Sequence, residues 1–493
     1  MRFSGKNLAV NSLLCSIGLV LTVRLMAQGG STESATARYE SLSKAMENGL
    51  LFLEKTQRRQ DNTDLTFKGE WPTFMCLQRP FFLLGKKKKV HDSNCFSVAS
   101  THNALAQIYL QYPEYKSIPP MLELSFKKVL TYRNEDQFNF WNLLEPYRDL
   151  KKGAVLGQQP RVRRPTHYKL KSRYINNAAN VTEDADDTGL AYTGMALRKQ
   201  INGRDTSLEL TNINIENVSY IFNKYRDKQR DNRHWYNYLN GNDHETGAFL
   251  TWLKDEYHFK RWNIIKVIGH NATFFLPFSE CYPHAYVPYI PYGSNDLDGV
   301  VNANVLATLA LNDELSSEGV EDAIAYLNKK SEREKYDRVG LYYPNRYHFP
   351  YAVSEAYHKG IKDLEPSATV MTTFILKNQN SDGSWSSRRR VNKKDELQST
   401  VYALNALINF GSFEKRSTTN AIEKALDYIM EQGIESEHGL YWPGGVFFSG
   451  GTVIRNTLVW KSDAYTTAII LKAFANYMKH LESKYPILAS DKI

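Results

Sequence analysis

Apolar positions recur along this chain in two kinds of helical segment. From Ser31 to Gln57, Ala45, Leu50, Leu51 and Leu53 fall between charged residues at helical spacing, which predicts an amphipathic helix. Segments such as Ser399 to Leu407 instead carry small and apolar residues on most faces and open on hydroxyls, which predicts helices buried all round. The two kinds belong to one recurring module, in which a turn bearing Gly and Trp or Tyr leads through a polar loop into a helix of the second kind.

The module is legible six times. Gly69-Glu70-Trp71-Pro72 leads to Ser93 and the helix through Asn103-Ala104-Leu105-Ala106, and the run Asp184 to Arg198 is the second such helix. Glu245 to Phe249 leads to Asp296 and the helix Val301 to Leu306, and Gly340 to Pro344 leads to Tyr351 to Ala356. Ser381-Asp382-Gly383-Ser384-Trp385 leads to Ser399 to Leu407, and Gly439 to Trp442 leads to Asp463 and a long apolar helix. A unit repeated in this way hides its apolar face against its neighbours. The expectation is an all-α single main domain, either six helical hairpins closed into a ring or an open helical solenoid.

The second of these helices opens with the chemistry. Asp184, Asp186 and Asp187 place three carboxylates in four positions, followed by Thr188 and an Ala/Leu/Met-rich run to Arg198. Like charges held close in a low dielectric push at least one carboxyl pKa upward, and an acid that keeps its proton near neutral pH can act as a general acid. Asp and Thr are also ordinary helix N-caps, with acids favoured in a first turn. Spacing alone leaves both readings open.

Asp184 to Thr188 resembles the Asp-x-Asp-Asp-Thr signature of class II terpene cyclases, the squalene-hopene cyclases and class II diterpene cyclases. The Asp-Gly-Ser-Trp turn of residues 382 to 385, with its Ser-Thr-x-Tyr-Ala-Leu helix, is similar to the repeat of terpene cyclases and of protein prenyltransferase β-subunits. The likeness runs from about Gly69 to Tyr477. It implies an α/α toroid of about six hairpins over residues 28–493. It also implies protonation-initiated cyclisation of a polyprenyl substrate, with Asp186 as proton donor and Asp184 and Asp187 tuning it. Carbocations in such a site need aromatic faces. Tyr192, Trp252, Tyr342 and Trp442 are the substrate-facing candidates, with Phe274, Phe275, Tyr343, Phe447 and Phe448 beside them. Gly189 stands where the family more often has Ala. Zinc prenyl transfer is disfavoured, because Cys281 and His284 have no matching Asp-x-Cys. Asp296 and Asp298 are too few for a magnesium site of the diphosphate-ionising kind, and Asp298 reads as an N-cap. No cofactor or metal is expected, magnesium assisting only where the substrate carries a diphosphate.

Composition changes the picture in three places. Of 493 residues, 42% are hydrophobic and 13% aromatic, ample for a core and for apolar pockets. The formal charge of +9 is gathered in runs such as Lys86 to Lys89, Arg161 to Arg164 and Arg388 to Arg390, which read as solvated faces able to touch anionic lipid. No nucleic-acid motif accompanies them. Residues 1–27 read as an export signal or an N-terminal anchor, with Arg2 and Lys6 before the apolar run Leu8 to Val23. The expectation is therefore an exported protein, with peripheral membrane contact and an apolar small-molecule substrate. Four cysteines offer no framework or metal pattern, and a single bridge from Cys76 to Cys95 is the alternative to buried thiols. An exported carbohydrate-active toroid is the competing function, with Glu70, Trp235, Asp243, His244 and Glu245 joining the Asp184 cluster and Trp252 in a groove. A non-catalytic binding toroid is the third.

Overall fold

The computed structural model describes residues 32–81, 85–145, 161–166, 179–204, 217–230, 244–255, 288, 290, 295–387, 395–450 and 455–490. The expected signal at 1–27, together with Cys15, Trp235, Asp243, His270, Phe274, Phe275, Cys281, His284 and Arg388 to Arg390, lies outside the described residues.

Six buried helices follow the predicted module: α2 (Cys95–Gln111), α4 (Ala185–Asn202), α6 (Gly299–Leu311), α8 (His348–His358), α10 (Glu396–Phe410) and α12 (Asp463–Lys484). Each packs on the next, and α12 packs back on α2, so the sequence of contacts is cyclic. In α10 every residue from Gln398 to Phe410 is buried. The helices between them are amphipathic. In α11 (Arg416–Glu431) burial is confined to Thr418, Ala421, Ile422, Ala425, Leu426 and Ile429, one stripe at helical spacing. That stripe packs on α10, as α3 (Ile118–Leu130) packs on α2, α7 (Val320–Ser331) on α6 and α9 (Glu365–Lys377) on α8. The first helix, α1, spans 32–56 and meets α12, where Leu471 lies against Gly49 and Tyr39 donates to Glu482 at 2.7 Å.

Hydroxyl and amide side chains near the starts of the buried helices hold the turns. Thr188 of α4 accepts from the Phe138 N–H at 2.9 Å, Asn302 of α6 from Phe249 at 2.9 Å, Thr400 of α10 from Trp385 at 3.0 Å and Thr467 of α12 from Trp442 at 3.1 Å. The turn tryptophans then tie down the preceding amphipathic helix. The indole N–H of Trp71 donates to Leu53 O, that of Trp385 to Ile375 O and that of Trp442 to Ile429 O, at 2.7–2.8 Å. Gln57 and Gln379 complete the staple, each bonding its own turn and the following helix, at Met121 O and Ala421 O. Trp442, expected to face substrate, is one of these staples, its ring edge-on to Phe474.

The expectation of an all-α chain needs correction, for the described residues also hold short sheets. Strands β1 (Phe74–Leu77), β2 (Lys88–His91), β9 (Val446–Ser449) and β10 (Leu458–Lys461) form one antiparallel sheet in the order β2-β1-β10-β9. Three further two-stranded ladders are local: β3 (Arg133–Asn134) with β4 (Gln137–Phe138), β5 (Leu143–Leu144) with β6 (Val162–Arg163), and β7 (Ile434–Ser436) with β8 (Gly439–Tyr441). The large sheet joins the two ends of the chain, Phe74 standing opposite Lys461 and Leu77 opposite Leu458. Its aromatic and β-branched residues suit a pleated surface half turned to the core. One smaller expectation also changes. Arg163 and Arg164 are buried rather than solvated, bonding the Trp141 and Pro165 carbonyls. Cys76 and Cys95 are both free thiols.

The staple has a measurable weight. Trp442→Ala, which opens a cavity and leaves the Ile429 carbonyl without its donor, will lower the unfolding free energy by about 3–5 kcal/mol. Denaturant unfolding reads this directly, and a loss below about 1 kcal/mol contradicts a stapling role.

Candidate active site

The site grows from the first turn of α4. Asp184 has extended backbone (φ −129°, ψ 159°) and its carboxylate accepts from the Asp187 N–H at 2.8 Å, so it caps the helix that Ala185, Leu190, Met195 and Leu197 then carry forward. Thr188 binds the β4 turn, and the Ala185 N–H donates to Thr251 O at 2.8 Å. Two glycines let neighbouring helices close in. A Cβ on Gly189 would stand 3.2 Å from Thr308 Oγ1 of α6, and one on Gly194 would stand 3.0 Å from Asn103 Oδ1 of α2. The departure from Ala at Gly189 is thus a close helix contact, sealed by Thr308 donating to Gly189 O at 2.9 Å.

With α4 enclosed, its carboxyls point apart. Asp184 turns back into its own first turn and Asp187 lies beside it near the Cys95 thiol at the start of α2. Asp186 points to α6, where Asn304 Nδ2 donates to its Oδ1 at 2.7 Å and the Tyr343 hydroxyl donates to its Oδ2. All three are buried. Burial raises the Asp186 carboxyl well above its usual range, and the charges of Asp184 and Asp298 push the same way against the Asn304 bond. Asp187 is also raised well above its usual range, by burial and then by Asp184 and Asp186. Burial lifts Asp184 to about 6, with the helix N–H groups it accepts from limiting the rise.

A cavity of about 590 Å³, counting its open part, runs among α2, α4, α6, α8 and α12. Asn304 lines it and joins it to Asp186. At this end Phe96, His348 and Tyr465 line the cavity, and a packed layer of further rings lies behind them. Phe96 stacks on Phe447 at 5.4 Å and tilts against Tyr343 and Tyr465, each at 5.9 Å. Phe448 of β9 stacks on Phe140 at 4.8 Å and on Tyr342 at 5.8 Å. His348 packs between Tyr343 and Tyr402, at 4.5 and 4.3 Å, and burial lowers its pKa to about 3, so it is neutral. Such a chamber suits a cationic hydrocarbon, since ring faces attract positive charge.

The other expected residues fall around this centre. Tyr342 donates to Asp296 at 2.8 Å and meets Trp252 edge-on at 6.0 Å, forming a wall behind the Tyr343 turn. Trp252 pairs by its backbone with Asp184. Tyr192 lies away from the cavity lining, bonded to Asp136 O and edge-on to Phe138. Trp442 is the staple described above. Asp298 caps α6 through the Val300 N–H at 2.8 Å and also accepts from the Leu341 N–H at 2.6 Å, which fixes the turn carrying Tyr343. Glu70 bonds Ser93 in a separate buried cluster, and Glu245 caps the exposed Gln229 loop, so neither joins the Asp184 group. The residues that sequence reasoning passed over are Asn304, Tyr402 and Tyr465, with Glu355, Lys359 and Lys472 farther along. Asn304 and Lys472 carried a signal, each being a polar residue inside an apolar run. Among the described residues no group of three or more His, Cys, Asp or Glu side chains is placed to hold a metal ion.

No family model matches the sequence, and no curated protein matches it. Solved structures do. A variant of the type II terpene cyclase MstE from Scytonema, in complex with geranylgeranyl dihydroxybenzoate, is similar at 12% identity and a TM-score of 0.52, covering 90% of this chain and 99% of that one. A variant of the same enzyme with merosterolic acid A gives 12% identity and 0.52 over the same shares, and the apo enzyme 13% and 0.50. The chain therefore has a terpene-cyclase-like fold.

The raised Asp186 pKa has a sign that unfolding can read. The group titrates near 3.8 when unperturbed and well above that when folded. Between those values the folded chain holds a proton that the unfolded chain has released, so stability falls as pH rises. Relative to Asp186→Asn, which has no such proton, the parent's stability will fall more steeply as pH rises above the ordinary carboxyl range. Parallel profiles for the two proteins would mean that Asp186 titrates as an ordinary carboxyl.

Proposed function

We propose that the chain is an α/α toroid of six hairpins that cyclises a polyprenyl substrate by protonation, with Asp186 as the general acid. The observation that carries this reading is the buried Asp186 carboxyl, held by Tyr343 and by Asn304, the residue that joins it to the lining of the central cavity. The proton passes from Asp186 to a terminal alkene carbon, and the alkene π pair forms the new C–H bond. The neighbouring double bonds then supply electron pairs to close rings. Loss of a proton from the last cation to solvent leaves an isomer of the substrate, and Asp186 regains a proton from solvent. The charge of Asp184 helps to keep Asp186 protonated, and the bond from the Asp187 N–H to Asp184 fixes the first turn of α4 that carries all three acids. Phe96 and Tyr465, which line the cavity, stabilise the cations, with Tyr343 and Phe447 packed against Phe96. MstE binds a geranylgeranyl-bearing aromatic acid, which supports an isoprenoid substrate here. Export through residues 1–27 and peripheral membrane contact belong to the same proposal, since a lipid-dissolved polyprene is reachable from outside. No described helix is long and apolar enough to cross a membrane.

The test is a product assay on the purified chain beside Asp186→Asn, with squalene, its epoxide, and farnesyl and geranylgeranyl diphosphates, read by mass spectrometry. The expected result is a cyclised isomer from the parent and a fall of about 10²–10⁴ in rate for the variant, the usual range for a general acid. Equal product from both would remove Asp186 as donor. No product from either, with both folded, would favour a carbohydrate-active or purely binding toroid.

A further inference from the structure

The cavity has a second, charged end. Along α8, His348 at the aromatic end and Lys359 at the other are separated by about 16 Å at the helical rise per residue. There Glu355, Lys359 and Lys472 meet, with side chains only 11%, 10% and 2% exposed. Lys472 donates to Glu355 Oε1 and to the Tyr351 hydroxyl, both at 2.8 Å, and Lys359 donates to Glu355 Oε2 at 3.1 Å. Burial pushes the Glu355 carboxyl up, but the two lysines outweigh it and hold the group well below the usual carboxylate range. The adjacent His358 is held below its ordinary pKa by burial and adds no charge near neutral pH.

One carboxylate therefore faces two lysine amines; burial and the charge of Lys472 lower the Lys359 pKa against the pull of Glu355, and with both amines protonated the cavity wall keeps a net positive charge. An ammonium has three donors. Lys472 spends two on protein and Lys359 one, which leaves three N–H donors for a ligand. A surplus buried charge is unfavourable unless something pairs with it. The C-terminal dipole of α8 accounts for Lys359, which caps that helix. It does not account for Lys472, which lies in the middle of α12. Asn103 Oδ1, on the same lining, also has no hydrogen-bond partner.

We propose that Lys359 and Lys472, held in place by Glu355, bind the oxyanion head group of the substrate, a carboxylate or phosphate on a polyprenyl chain. The head group then fixes the direction of the chain, with its far end at Asp186. The proposal rests on the cyclase reading for the nature of the chain, and not for the head-group site itself.

Binding separates the two. The full chain is titrated with geranylgeranyl phosphate, geranylgeranoic acid and geranylgeraniol, by quenching of tryptophan fluorescence. The parent will bind at least one of the acids about tenfold or more tighter than the alcohol, as expected for hydrogen bonds to a charged group. The tighter acid identifies the head group. Lys359→Met and Lys472→Met will each reduce the preference to about threefold or less, and Lys359→Arg will keep most of it. Asp186→Asn will keep the preference in full, so loss of turnover and loss of the head-group site are told apart. Equal affinity for alcohol and acids, no binding of any of the three, or a preference that survives both Met variants would overturn the site. Circular dichroism of each variant establishes that it is folded. Lys359→Met, at a helix end, keeps the test decisive if Lys472→Met unfolds.

Discussion

The structure depends on keeping water away from the first turn of α4. A carboxylate moved into a low dielectric loses several kcal/mol of hydration, so a buried acid either finds cations or keeps its proton. No cation stands among the influences on Asp186; those are burial, the Asn304 bond and the charges of Asp184 and Asp298. The balance falls on the side of the proton. Asn304 and Tyr343 decide where the acid points, and the Asn304 bond lowers its pKa without overturning burial. Both come from elements other than α4, so the acid is aimed only when α6 and the turn before α8 are in place.

That dependence explains the work of the staples. Thr188, Asn302, Thr400 and Thr467 each hold a turn to the start of a buried helix, and at the last two a turn tryptophan holds the same turn to the amphipathic helix before it. Around Asp186 the rule is extended by Asp298, which caps α6 and grips the Leu341 N–H one turn ahead of Tyr343. The sheet adds the last wall. β9 delivers Phe447 and Phe448, and β10 delivers Trp460, whose indole donates to the buried Asp92 at 2.7 Å. A pleated strand suits this task because alternate residues face one way, and Phe447 is buried against Phe96 while Phe448 turns to Phe140 and Tyr342.

Much of this was legible in the residues, and the failures have physical causes. The Asp184 cluster could be read because an N-cap and an acidic first turn are local, set by neighbours in sequence. The repeat was legible because it recurs. Trp442 was misread as substrate-facing because the same large aromatic serves staple and pocket alike, and only its indole bond to Ile429 distinguishes them. Tyr192 sits one turn and more beyond Asp186 on the same helix, yet its hydroxyl leaves the cavity for Asp136 O. The sheet escaped notice because β1 and β10 are short and pair across almost the whole chain, a long-range register that no local pattern contains. Glu355 was invisible for the same reason, and Lys472, though a lone charge in an apolar run, gained meaning only against it.

The direction of the buried helices gives the cavity a polarity that burial alone would not. The residues at its aromatic end come from the first turns of α2, α8 and α12, and those at its charged end from later turns of α8 and α12. These helices therefore share a direction, with positive dipole ends near Asp186 and negative ends toward Lys359. At the acid end the dipoles favour the carboxylate over the carboxyl, opposite to the effect of burial. Burial wins before reaction, which keeps Asp186 loaded. In the proton transfer proposed above, the same dipoles would stabilise the carboxylate that remains and discourage its immediate recapture of the proton. A positive potential at this end would also disfavour the carbocation of the proposed cyclisation, which the faces of Phe96 and Tyr465 on the cavity lining would offset. The acid and the aromatics are thus one arrangement, because each offsets the cost that the other's surroundings impose.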